Sequence, residues 1–113
     1  MDKINYIPAP LIRQMFNESQ YPQMILDGRL IPELLRDSPL KNPRRCGEPP
    51  GSRGQLIRYR NKSGQWLVEI FQYLRPDGTI GASGRPDPKR LRIGNTIFIA
   101  ETQRHGRPGG GLA

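Results

Sequence analysis

The sequence predicts an α+β fold: two short N-terminal helices followed by an antiparallel β-meander of three to four strands, with a small, partly open barrel as the variant. Three observations predict it. Apolar residues recur at helical spacing only near the N-terminus, in 10–19 and 31–37. Apolar, β-branched and aromatic residues dominate 55–60 and 65–74 (QLIRYR and QWLVEIFQYL). Between these halves lies SPLKNPRRCGEPPGSRG, residues 38–54, where prolines and glycines are too dense for either periodicity to survive.

A chain of 113 residues is enough for one domain with one core. Its organisation reads as an N-terminal helical segment (1–37), a Pro/Gly-rich basic linker (38–54), a β-meander core (55–101) and a flexible tail (102–113). Gly 13 and Pro 12 make irregular connections a large share of the chain, whereas the apolar residues stay clustered.

The elements follow in order. Residues 1–8 are extended. In 10–19, Pro10 suits a first helical turn, and Leu11/Met15 and Ile12/Phe16 form i,i+4 pairs on one stripe, closed by Pro22. Residues 23–27 are too short to assign. A second helix is expected over 31–37, with Pro32 near its start. These helices either cover one side of a sheet or present a face to a partner. A four-residue loop, Asn61 to Gly64, would pair Arg60 with Gln65. Ile57, Tyr59, Trp66, Val68 and Ile70 would then share one face, and Glu69 would lie diagonally near Arg58 as a cross-strand ion pair. Arg75-Pro76-Asp77-Gly78 is a turn. A third strand is expected at 79–82, with Ile80 near Tyr73 and Ala82 near Phe71. Asp87 and Pro88 read as the cap and first turn of a single helical turn through Leu91. Thr96 to Ala100 is the last strand, and 105–113 belongs to the tail.

The formal net charge is +8, and it is unevenly placed. Residues 1–40 hold four basic and five acidic side chains, so the entire positive excess lies in 41–113. Arginine supplies most of it, and its planar fork matches phosphate. This predicts a small basic binding module that contacts nucleic acid or another polyanion through an Arg-rich β-face. Its residues would be Arg58, Arg60, Lys62, Arg85, Lys89, Arg90 and Arg92, joined by Arg44 and Arg45 from the linker. Phe71 and Tyr73 would interleave aromatic rings among them, as single-strand binding uses. The competing reading is a solvated strand face, with Phe71 and Tyr73 buried under the N-terminal helices. As to partner, the alternative is a phage or bacterial accessory protein that docks on an acidic protein.

No catalytic constellation emerges, and the expectation is a protein that is not an enzyme. His105 sits in the tail, and Cys46 is at most a reactive thiol activated by Arg44 and Arg45. One cysteine and one histidine supply no metal-ligand set, and no cofactor is implied. Gly81-Ala82-Ser83-Gly84-Arg85 has the glycines of a phosphate cradle without the Gly-Lys-Ser/Thr ending or a βαβ context, and reads instead as a tight connection between strand and helical turn. The absence of an apolar run and the lone cysteine point to a cytoplasmic protein with no membrane partner. The run from Asp77 to Leu91, DGTIGASGRPDPKRL, resembles a stretch of small uncharacterised bacterial and bacteriophage proteins. The resemblance implies a microbial or phage origin and a stable structural unit, and carries over no site.

Overall fold

The computed structural model of the chain describes residues 2–81 and 86–101, and its centre is an open, mixed six-stranded sheet. In chain order the elements are β1 (Lys3–Ile7), α1 (Ala9–Glu18), α2 (Tyr21–Leu26), β2 (Ile31–Pro39), a 3-10 turn (Pro43–Cys46), β3 (Arg53–Arg60), β4 (Trp66–Leu74), β5 (Asp87–Ile93) and β6 (Thr96–Ala100). The strands lie in the order β1-β6-β5-β4-β3-β2. All neighbours are antiparallel except β1 with β6, which run parallel with Lys3 opposite Thr96 and Ile7 opposite Ala100. The α+β class therefore stands, but the sheet is wider than three to four strands and does not close into a barrel. Among the described residues, no helix is long and apolar enough to cross a membrane.

The first helix forms as its spacing predicts. Pro10 occupies its first turn, and Ile12 and Phe16, one turn apart, are 0% and 2% exposed. They pack on Val68, Ile70, Leu91 and Ala100 to make the core. Leu11 points away and is exposed, so only half of the expected stripe is buried. Ser19 joins the helices: its hydroxyl donates to the Phe16 carbonyl at 2.7 Å and accepts from the Tyr21 N–H at 3.1 Å. The second helix is α2, in the stretch left unassigned by pattern, and its Tyr21 hydroxyl donates to the Arg92 carbonyl at 2.6 Å.

Residues 31–37 are not a helix. They lie in β2, an edge strand paired only with β3. A proline early in an edge strand costs little, because its missing N–H faces no partner, so Pro32 fits here as well as in a helical first turn. The helical turn expected over 87–91 is likewise strand β5. Pro88 is accommodated because pairing with β6 begins only at Arg90 and because β4 and β5 change register beside it. Gly94, at φ +60°, and Asn95 form the two-residue connection from Ile93, opposite Thr96, into β6. Of the expected third strand, Ile80 makes a single bridge to Leu74, and Ala82 lies outside the described residues.

The β3–β4 hairpin is shifted by two residues from the expected register: Ile57 opposes Ile70 and Arg58 opposes Glu69 directly. A two-residue shift preserves which side chains share a face. Tyr59, Val68, Leu91 and Phe98 form a cross-strand row toward the helices. The alternate row, Arg58, Glu69, Arg90 and Ile99, therefore lies on the face without helices. Residues 38–54 are not a structureless linker. β2 runs through Pro39, β3 starts at Arg53, and between them Glu48 and Ser52 are buried.

Phe16→Ala is expected to cost about 3–5 kcal/mol in denaturant unfolding, because it opens a cavity at the helix–sheet contact. Leu26→Ala, at a side chain 80% exposed, should change stability by less than about 0.5 kcal/mol. Burial raises the Tyr21 phenol above its usual 10.0 against the opposing charge of Arg92, and burial also raises Tyr59. The folded state thus favours both phenols neutral, so their contribution is present below the ordinary phenol value and is lost as pH rises through the folded value. Tyr21→Phe should cost about 1 kcal/mol at neutral pH. It should also flatten the alkaline fall in stability, read from urea midpoints between neutral and strongly alkaline pH.

Candidate functional site

The strand cations of the expected Arg-rich face reach the helix-free side, where carboxylates already hold most of them. Arg58 donates from Nε and Nη2 to one oxygen of Glu69, at 2.9 and 2.7 Å, and Arg90 lies 3.7 Å from the other oxygen. Glu69 sits on the central strand and is 4% exposed, so its charge needs these partners. Arg60 pairs with Glu33 at 3.0 Å and also donates to the Gly64 carbonyl. Arg92, itself buried, donates to Asp2 and to the Trp66 carbonyl, each at 3.0 Å. Lys89 pairs with Asp87 at 2.9 Å. Lys62 is exposed in the hairpin loop, and Arg85 lies outside the described residues.

Trp66 belongs to this cluster, not to the helix-packed face expected for it. Past Tyr59 opposite Val68, the pairing jumps to Arg60 opposite Trp66, which leaves Leu67 as an extra residue in β4. That bulge turns Trp66 to the arginine side. Its ring lies between the guanidiniums of Arg58, 5.8 Å from the centroid, and Arg92, at 4.8 Å. Phe71 and Tyr73 share the same side. They are half-buried, and the helices do not cover them, which removes the reading that placed them in the helix-packed core.

Besides Lys3 and Lys62, four cations among the described residues have no carboxylate partner, and they lie elsewhere. Arg36, Lys41, Arg44 and Arg45 are all exposed and have no ion-pair partner among the described residues. They occupy the second half of β2 and the connection to β3, and Arg36 also lines a cleft of about 370 Å³ on the helix-free face. Phe71 and Tyr73 line it, packed edge to face with centroids 5.3 Å apart. Arg36 contributes from β2, Asp87 and Lys89 from β5, and Ile80 and Gly81 from the intervening connection.

Local contacts hold this geometry. Gly54 opposes Tyr73, and a Cβ there would press on the Phe71 ring at 3.2 Å. The neighbouring Cys46 thiol raises the Tyr73 phenol above its usual value, with burial adding to the effect. Cys46 closes the turn that bears Arg44 and Arg45, so this turn lies near Tyr73 at the cleft wall. Glu48 accepts from Arg75 Nε at 2.8 Å, and its carboxylate packs where a Cβ on Gly81 would collide. The connection after β2 and the connection after β4 are thereby joined beside the cleft.

Comparison of the chain with protein-family models, with curated proteins and with solved structures returned no match. The site is therefore read from its own geometry. Sequence reasoning does not single out Arg36 as a site residue. The helix expected over 31–37 takes it in, and no local signal separates it from any polar residue beside Leu34 and Leu35.

Arg58→Met keeps the aliphatic stem and strands the Glu69 carboxylate. It should lower unfolding free energy by about 3 kcal/mol. Arg60→Met, whose partner Glu33 is exposed, should cost less than about 1 kcal/mol by the same denaturant titration.

Proposed function

We propose that the protein is a binding module for single-stranded nucleic acid, held chiefly through phosphate contacts from Arg36, Lys41, Arg44 and Arg45. The observation that carries this reading is the difference between paired and unpaired cations. Arginines on the central strands are committed to Glu69, Glu33 and Asp2, whereas these four have no carboxylate partner among the described residues. A phosphate can reach them by displacing only water and counterions. Two half-buried aromatic rings beside the run favour nucleic acid over an acidic protein, because bases offer faces to stack. A cleft and an exposed turn suit an unpaired strand better than a rigid duplex.

The test is fluorescence anisotropy with labelled single-stranded RNA and DNA over a series of salt concentrations. Affinity should fall steeply with salt. Each lost phosphate contact should reduce the log–log slope by about 0.7 for a single strand, so the Arg44→Ala/Arg45→Ala double variant should lose about 1.4. Arg60→Gln should alter the slope little. Binding no tighter than that of an unrelated basic protein would sink the proposal. Equal affinity for polyglutamate of matched length would replace it with an acidic protein partner.

A further inference from the structure

We propose that the cleft over Phe71 and Tyr73 is a subsite for one nucleotide, with an aromatic base against Phe71 and a phosphate between Arg36 and Lys89. The inference deepens the nucleic-acid reading and rests on it for the class of ligand. It is carried by a separate observation, namely how the sheet aims these side chains.

Two independent β-bulges flank Phe71. In β2 the pairing passes from Leu34 opposite Ile57 to Arg36 opposite Leu56, leaving Leu35 without a partner. In β5 it passes from Arg90 opposite Glu69 to Pro88 opposite Ile70, leaving Lys89 without one. The first irregularity puts Arg36 into a row with Leu56, Phe71 and Asp87 across four strands. The second frees Lys89 from the alternation, and its side chain lines the cleft. An unbulged β2 would pair Arg36 with Gln55, two residues from Ile57 on the opposite face. Bulges cost ladder hydrogen bonds and recur where a strand must re-aim a side chain. Here two of them bring a cation to either side of the same aromatic ring.

The cleft's size and charge suit such a ligand. About 370 Å³ lies at the small end of small-molecule sites, enough for a single nucleotide. The wall charges are Arg36, Lys89 and Asp87. Asp87 is shared between Lys89 at 2.9 Å and Arg13 at 3.8 Å, so positive charge prevails. Nearby Glu48 is occupied by Arg75. The edge-to-face contact with Tyr73 and the close approach to Gly54 fix the Phe71 ring, so stacking on it costs little conformational freedom.

Calorimetric titration of the full chain with AMP, adenosine and inorganic phosphate tests the proposal. AMP should bind at least about tenfold more tightly than phosphate alone. Phe71→Leu should weaken AMP about tenfold, within the range for loss of one base stack, and weaken an oligonucleotide while leaving its salt slope unchanged. Lys89→Gln, at a partly exposed side chain, should weaken AMP and spare adenosine; it keeps the test decisive if Phe71→Leu does not fold. Competition separates the source: displacement of AMP by an oligonucleotide assigns the subsite to a residue of a strand, and no displacement to a free nucleotide. Equal affinity for AMP and phosphate, or AMP binding unchanged in both variants, overturns the subsite even if oligonucleotides bind with a steep salt dependence. AMP binding that depends on Phe71, with no oligonucleotide binding, upholds the subsite and removes the wider reading.

Discussion

Glu69 is the constraint around which the helix-free side of the sheet is built. A carboxylate at the middle of the central strand, 4% exposed, would be prohibitively placed if alone. Arg58 on one neighbouring strand and Arg90 on the other neutralise it, and these pairs fix both strands against β4. The long stems of the arginines lie along the sheet, and two guanidiniums bracket Trp66. A face that has no helix to cover it is thus roofed by its own cations. Only two short helices are needed in consequence, and they bury the opposite face through Ile12 and Phe16.

Bulges explain how that arrangement coexists with an aromatic cleft on the same face. With strict alternation, Trp66 would join Val68 against the helices and Arg36 would turn toward them too. The extra residues Leu67, Leu35 and Lys89 each interrupt the alternation once. At one end of the face they gather Trp66 with Arg58 and Arg92, and at the other they set Arg36 and Lys89 around Phe71. The first group is closed by ion pairs within the molecule. In the second, Lys89 is paired with the partly exposed Asp87 and Arg36 has no ion-pair partner among the described residues, and this difference separates a structural cluster from a candidate site.

Much of the fold is legible in local pattern, and the misses share a cause. The α1 stripe, the two strands of the central hairpin and the last strand follow from spacing and residue type, because burial on one side imposes a period. The expected hairpin register differs by two residues, one because Arg60 pairs with Trp66 across a five-residue loop and one because of the extra Leu67, yet Arg58 and Glu69 remain neighbours since the shift is even. Pro32 and Pro88 misled for one reason. A proline near the start of an element is compatible with a helical first turn and with an edge strand or a bulge, and only the neighbours decide. Gly94-Asn95 between two apolar runs was the available signal that 87–93 is the first arm of a hairpin. The parallel pairing of β1 with β6, from opposite ends of the chain, leaves no local trace. The cleft is less legible still, since Arg36 reaches it through a bulge that arises in pairing with β3.

The same pairing energetics decide which part of a +8 chain meets an anion first. To accept a phosphate, Arg58 would surrender two charge-assisted bonds, each worth about 1.5–3 kcal/mol, and leave Glu69 buried without its closest partner. Arg92 would give up Asp2, the Trp66 carbonyl and its place against the indole. Arg44 and Arg45 have no ion-pair partner to surrender among the described residues, and they sit on the turn that ends at Cys46, a neighbour of Tyr73. A sum of charges over the sequence ranks these residues equally, whereas the structure separates them by what each must leave. The asymmetry that matters is therefore the one between committed and uncommitted cations. On the proposed reading, it favours the β2–β3 connection over the arginine-rich strands as the part that meets an anion.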